Sequence, residues 1–311
     1  MKVFIYNVQM ANTLYCRNGQ NVRSKVIVQK IIDQSDSFDV LALCELFHHQ
    51  ALVYFVKKLK VFYPYFTIHP THSRAVVSGG LVIMSKFPIS ESRSIHYGNA
   101  RGEERLASKG ALLAILETPA GLRCIVHTHP QSWDKFEKDR IEQFKSLFKW
   151  VEHIKCPLVV VGDLNIDYHN LGDFKPYIKQ LPTIVGENTY SQTKTNSMRG
   201  NDTSSNREGC GMQYYCNVCD SDKHEKGLCK LVCKKVPATE VFCPCCPEQL
   251  LDYGFIPKNH PKAKHFELQV LAWKSDRYIV FDSWMLGRFT MPKMRTLDLS
   301  DHYPVALEWE A

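Results

Sequence analysis

No apolar run in this chain approaches the roughly 18 residues that a membrane-spanning helix needs, so an integral membrane protein is not expected. No internal repeat is visible. No leader-like segment precedes the first strand-like run, because the chain opens Met1-Lys2-Val3-Phe4-Ile5-Tyr6. The expectation is a cytosolic protein, or one whose leader has been removed. A basic, aromatic stripe of the kind that reads nucleic acid is also missing. The net charge of +7 is scattered, so a solvated basic surface explains it as well as an anionic partner does.

What is present fits one large α/β domain or two small ones in 311 residues. Hydrophobic residues at 44% and charged residues at 23% are ordinary for a globular chain. Strand-like runs are expected at Lys2–Gln9, Asp39–Cys44, Gly80–Ser85, Ala111–Glu117, Leu122–Thr128 and Pro157–Asp163. Later ones fall at Asp252–Ile256, Glu267–Trp273, Tyr278–Asp282 and Tyr303–Glu308. Helical periodicity is clearest over Asp134–Lys155, where Phe136, Ile141, Phe144, Leu147, Phe148 and Val151 share a face. Shorter helices are expected at Arg23–Gln34 and Gln50–Leu59. Consecutive strands outnumber helices, which favours two packed sheets with helices outside over a singly wound parallel sheet.

The 12 cysteines are unevenly placed. Cys16, Cys44, Cys124 and Cys156 are solitary, and burial as small residues is the expectation for those in apolar runs. The other eight fall within 188–246, a stretch of Asn, Ser, Thr, Gly and Lys with no period. That stretch reads as a cysteine-rich insertion in a single domain spanning 1–311. The Cys216-x-x-Cys219 spacing suits zinc. The even count, the adjacent Cys245-Cys246 and the sequon Asn201-Asp202-Thr203 suit disulfides in a secreted protein, the favoured reading. Zinc would instead imply the cytosol.

Polar residues recur where apolar runs end: Asn7, Glu45, His129, Asp163 with Asn165, and Asp301-His302. Rigid strands hold reaction sites at such ends. Carboxylates, an amide and imidazoles suit a hard divalent cation and a phosphate ester. Taken singly, each has a plainer reading: Glu45 as a loop acid paired with lysine, Asp163-Leu164-Asn165 as an Asx turn, His302 as a core histidine. Asp252 supplies a further acid that could orient His302. His48 and His49 read as surface residues at a helix start.

Taken together, Asn7, Glu45, Thr128-His129, Gly162-Asp163-x-Asn165, Leu251-Asp252-Tyr253 and Ser300-Asp301-His302 resemble the endonuclease/exonuclease/phosphatase superfamily, in order and across nearly the whole chain. The run Ser78-Gly79-Gly80-Leu81-Val82-Ile83-Met84-Ser85-Lys86-Phe87-Pro88-Ile89 is similar to the neutral sphingomyelinase branch, as are Ser108-Lys109-Gly110 and Thr128-His129-x-Gln131. Pro130, Trp133 and the cysteine-rich insertion depart from that pattern.

The resemblance implies a four-layer α/β/β/α sandwich of two mainly antiparallel sheets. It implies a Mg²⁺-dependent phosphodiesterase, with Mn²⁺ or Co²⁺ as substitutes, that converts sphingomyelin to ceramide and phosphocholine. Carried over by motif, Glu45 ligates the metal and Asn7 supports it. His302 is the general base, oriented by Asp252 with Asp301 alongside. Asn165 and His129 bind phosphoryl oxygens, and Asp163 positions the nucleophile or assists the leaving group. The expected partner is sphingomyelin or another choline phospholipid in a membrane surface, touched peripherally by a monomer, with no nucleic acid. Between Asp252 and His302 a Gly-Arg turn flanked by Trp284, Leu286, Phe289 and Met291 reads as a hairpin with an apolar tip. Trp284 and Phe289 are its expected membrane contacts, with core packing as the alternative. Rival activities on the same scaffold are an abasic-site endonuclease and a phosphoinositide phosphatase, although the Trp-Cys-Asp-Arg block of the latter is missing. A catalytically dead binding module is disfavoured by the intact polar set.

Overall fold

A computed structural model describes residues 1–11, 19–73, 75–132, 134–186, 189, 249–285 and 289–311, with the backbone alone at 103, 134, 278, 280–285 and 289–298. Two sheets carry the fold, of seven and six strands. The seven-stranded sheet runs β10 (Thr183–Val185), β12 (His265–Val270), β15 (Val305–Glu310), β1 (Lys2–Met10), β2 (Val40–Leu46), β4 (Val82–Ser85), β3 (Tyr65–Ile68). The six-stranded sheet runs β5 (Ile89–His96), β6 (Gly110–Thr118), β7 (Gly121–His129), β8 (Leu158–Asp163), β11 (Asp252–Pro257), β9 (Ile178–Gln180).

Side-chain alternation along the strands explains the layers. In β1, Val3 and Ile5 face the other sheet and share one core with its Ala114 and Val160. Phe4, Tyr6 and Val8 face the opposite way, onto α1 (Gln20–Asp33) and α2 (His49–Leu59), packing with Ile27, Ile31, Phe55 and Leu59. On the other outer side, α3 (Glu137–Val151) lays Phe144, Leu147 and Val151 onto the six-stranded sheet. The result is the expected α/β/β/α sandwich. Most strand pairs are antiparallel; β1/β2, β7/β8 and β10/β12 are parallel.

Those exceptions determine where polar residues gather. Parallel neighbours end on the same side of a sheet, so Asn7 of β1 and Glu45 of β2 emerge together, with Asn7 beside Cys44 in register. Likewise His129 ends β7 and Asp163 ends β8, each two residues beyond the His127–Val161 pair. Antiparallel β11 starts where β8 stops, setting Asp252 opposite Asp163. Antiparallel β15 begins beside Ile5, which leaves Ser300, Asp301 and His302 next to Asn7.

Half-exposed strands escape the sequence pattern. β3 and β5 are partly exposed on both faces, so no alternation marks them. The run expected over Glu267–Trp273 ends at Val270; Trp273 turns instead onto Phe4, with ring centroids 5.1 Å apart. His48, read as a surface residue, is buried and caps α2 by accepting the Ala51 amide. Beyond Trp273, β13 (Lys274–Met285) pairs with β14 (Phe289–Asp298) as a two-stranded hairpin. Its backbone matches the expected hairpin, while 286–288 and the side chains of Trp284 and Phe289 lie outside the described residues. The cysteine-rich stretch also lies outside them, apart from Thr189. Cys44 and Cys124 are buried free thiols, as expected, and Cys156 is half-buried. Among the described residues no helix is long and apolar enough to cross a membrane.

Candidate active site

Seven of the expected residues converge at the strand ends between the two sheets, and Asn165 flanks them. Asn7 donates through Nδ2 to Glu45 Oε1 at 3.1 Å and to Asp163 Oδ2 at 2.9 Å, tying one sheet to the other. His129 Nε2 lies 3.7 Å from Glu45 Oε1 and 3.6 Å from Asp163 Oδ2. His302 Nε2 lies 3.6 Å from Asp163 Oδ2 and 4.0 Å from Asp301 Oδ1. These last separations exceed hydrogen-bond lengths, so the atoms face a common centre without closing on one another. On its other side, His302 Nδ1 is hydrogen-bonded to Asp252 Oδ2.

Backbone strain marks the same place. Among the described residues, Gln9, Glu45 and Asn165 are the non-glycine residues with positive φ, at 46°, 56° and 53°. Residues of this kind seldom adopt that region, and such outliers collect at functional sites. In β2, alternation would turn Glu45 toward α2 with Leu41 and Leu43; the left-handed turn coincides with its side chain reaching Asn7 instead. Asn165 closes back through its main-chain amide onto Asp163 Oδ1 at 2.9 Å, which is the Asx turn. Its Nδ2 donates to the Pro130 carbonyl at 3.2 Å, leaving one amide hydrogen uncommitted among the described residues. Gly162 permits the close approach behind Asp163: at φ 141° a Cβ there would lie 2.0 Å from the Thr128 carbonyl oxygen.

Charge is unbalanced toward acid. Burial, reinforced by Asp301 and Asp163, pushes the Glu45 carboxyl up to about 7. Burial also raises Asp163 to about 6, with Asp252 adding to the shift and His302 opposing it. Burial alone disfavours the His302 imidazolium, but Asp252, Asp163 and Asp301 outweigh it and push the ring up to about 10. His129 moves the other way, well below its usual value, through burial and the nearby Lys109 and His302.

Residues outside the sequence-based set complete the frame. Lys109 is buried, 2.7 Å from Glu104 Oε1 and within 3.3 Å of His129 and of the Pro130 carbonyl. Its only sequence signal is the Ser108-Lys109-Gly110 motif. Glu104 also accepts from the Ser132 amide and hydroxyl, each at 2.9 Å, which holds the loop after His129. Thr189 Oγ1 accepts from the Leu251 and Asp252 amides while its carbonyl accepts from the Tyr303 amide, linking the acid to the turn that bears His302. Gln9 donates to Asp301 Oδ2 at 2.7 Å. No periodicity distinguishes Glu104, Thr189 or Gln9 from ordinary loop and strand residues.

The donors suit a hard divalent cation. Ligand atoms of Glu45, His129 and Asp163 lie within 4.8 Å of one another, and buried acids there exceed the cations that face them. The sequence pattern of the Endonuclease/Exonuclease/phosphatase family matches residues 5–211, well over half of the chain. The chain belongs to that family. Its similarity extends further to sphingomyelinases: Sphingomyelinase C of Bacillus cereus is 25% identical over 340 residues, covering 98% of this chain and 87% of that protein. Among solved structures, a magnesium-bound mutant of beta toxin from Staphylococcus aureus superposes with a TM-score of 0.70 at 20% identity, covering 100% of this chain and 99% of the other. Sphingomyelinase C from Streptomyces griseocarneus gives the same TM-score, identity and coverage. The two-sheet sandwich of this family member is therefore that of the bacterial sphingomyelinases.

Proposed function

We propose that the protein is a Mg²⁺-dependent phosphodiesterase that hydrolyses sphingomyelin to ceramide and phosphocholine at a membrane surface. One observation carries the reading. Asn7, Glu45, His129, Asp163, Asp252 and His302, spread over nearly the whole chain, bring their polar atoms to one centre between the sheets. The similarity to sphingomyelinases in sequence and in fold supports the choice of substrate.

Glu45 would hold the cation, with Asn7 fixing its carboxylate. A divalent ion held there would offset the local acidic charge, polarise a phosphoryl oxygen and make a nearby water more acidic. The surrounding acids keep the His302 ring protonated at neutral pH in the metal-free protein; with a cation offsetting that acid charge, the neutral ring would receive the water proton at Nε2, the nitrogen facing Asp163 and Asp301. Asp252 keeps Nδ1 protonated and the ring oriented, so that Nε2 is the basic atom. Water attacks phosphorus, the bond to the ceramide oxygen breaks, and that oxygen takes up a proton. Asp163, held by the Asn7 side chain and the Asn165 amide, would position the attacking water or assist that leaving oxygen. His129 and the uncommitted amide hydrogen of Asn165 meet the charge that builds on the phosphoryl oxygens.

The β13/β14 hairpin would insert Trp284 and Phe289 into the lipid surface, and its backbone pairing supports that use. The protein acts outside the cell as one catalytic domain, with the 188–246 cysteines paired as disulfides; their even number and the sequon support this.

The test compares sphingomyelin vesicles, abasic DNA and phosphoinositides side by side, with Mg²⁺ and with EDTA. Release of phosphocholine from sphingomyelin alone, stopped by EDTA, is expected. Faster turnover of abasic DNA or of phosphoinositides would replace this reading with one of the rivals.

A further inference from the structure

Arg23 belongs to α1, in the outer layer, yet it is 0% exposed. Its guanidinium turns inward onto backbone carbonyls. Nε and Nη2 donate to the Leu299 oxygen at 2.9 and 2.6 Å, Nη2 also to Val8 at 2.5 Å, and Nη1 to Gln9 at 3.1 Å. Those carbonyls come from two segments far apart in sequence: the end of β1 and the turn that leads into Ser300-Asp301-His302.

Both segments leave their ladders at these positions. The pairing of β1 with β2 shifts register between Asn7 and Met10, and Gln9 has a left-handed φ of 46°. A bulge of that kind turns carbonyls away from the neighbouring strand, and buried carbonyls need another donor. A planar guanidinium can serve three acceptors at once in fixed directions; an ammonium cannot reproduce that fork. From this bulge Gln9 reaches both halves of the site, its amide to Asn7 Oδ1 at 3.1 Å and its Nε2 to Asp301 Oδ2 at 2.7 Å. Ser300 Oγ closes the other side on the Asn7 carbonyl at 2.6 Å.

We infer that Arg23 is a positioning residue: by clamping Val8, Gln9 and Leu299 it sets the spacing between the Asn7–Glu45 acid cluster and the turn carrying Asp301 and His302. Its effect passes through Gln9. The inference rests on the reading of His302 as the base only where turnover is measured.

The experiment uses the full chain, with Arg23→Lys and Gln9→Asn beside the wild type. Gln9→Asn keeps the backbone carbonyl that Arg23 holds and tolerates positive φ, but its shorter side chain loses Asp301. Three quantities are read: kcat and KM on a soluble phosphocholine diester, the thermal midpoint, and the imidazole proton resonance of His302 in metal-free protein. Arg23→Lys is expected to lower kcat by about ten- to a hundred-fold, the scale of a misplaced reacting group. KM should stay within about two-fold. The His302 resonance should move, and Gln9→Asn should shift kcat and resonance the same way by less. A fall in thermal midpoint with kcat per folded molecule and the His302 resonance both unchanged overturns the inference and leaves Arg23 as a staple of the fold. Should Arg23→Lys fail to fold, Gln9→Asn decides alone: an unmoved resonance with unchanged kcat overturns it. Should the wild type hydrolyse no phosphocholine diester, the proposed function fails and the resonance by itself decides the role of Arg23.

Discussion

His302 and Asp252 share a buried hydrogen bond across 50 residues of sequence, Nδ1 to carboxylate, and the other carboxylate oxygen of Asp252 has no partner among the described residues. Asp252 therefore commits its one bond to the ring. Replacing it with Asn keeps the shape but allows the amide to donate, which favours the wrong tautomer of His302. The expected result is a loss of about a hundred-fold or more in kcat with little change in KM, and His302→Ala should abolish turnover. Steady-state kinetics on a soluble phosphocholine diester would check both; an Asp252→Asn enzyme of near wild-type kcat would remove Asp252 from the proposed role.

Glu45 sits among acids that burial has already made reluctant to ionise together. A divalent cation bound there should stabilise the fold, by about 3 kcal/mol at a hundred times the dissociation constant. Thermal denaturation with increasing Mg²⁺ should show a rising midpoint for the wild type and none for Glu45→Ala. A variant that still responds fully would move the metal elsewhere.

His127 gives a prediction about stability rather than catalysis. It is fully buried on β7, with Nδ1 3.3 Å from the Val161 carbonyl, and burial lowers its pKa to about 4. The unfolded chain takes up the proton near the usual histidine value, so below that pH the unfolded state binds more protons than the folded one. Stability from this group is full at neutral pH, falls as pH drops from about 6.5 toward 4, and then levels off. The loss is about 3 kcal/mol, from about 1.4 kcal/mol per unit. Denaturant melts at pH 7 and pH 4 should show wild type losing more stability than His127→Gln by about that amount. Equal losses would mean that His127 does not titrate with unfolding.

The hairpin separates chemistry from surface binding. Trp284→Ala with Phe289→Ala should leave hydrolysis of a soluble phosphocholine ester near wild type and reduce activity on sphingomyelin liposomes severalfold. A parallel liposome-flotation assay should show the matching loss of binding. Equal loss on both substrates would point to core packing instead.

Much of this site was legible in the residues because each candidate group stands at one end of an apolar strand. Leu158-Val159-Val160-Val161 announces a buried strand, and Asp163 stands at its end. Long strands and α3 showed their periods for the same reason, since a wholly buried face leaves a clear pattern. β3 and β5 did not, being half-exposed. Lys109 was visible only inside a family motif, and Arg23 looked like any helical arginine, because nothing local signals that a guanidinium will be folded inward onto carbonyls of two distant segments.

Residue type and strand alternation, both local properties, determined which groups were available: oxygen donors, imidazoles and the apolar runs to carry them. Which of those groups meet was decided by strand order and direction. Parallel β1/β2 and β7/β8, with β11 and β15 antiparallel beside them, send all the carrying ends to one edge between the sheets. The left-handed turns at Gln9 and Glu45 belong to the same level. Long-range packing holds them, and no window of sequence contains the partners that do so.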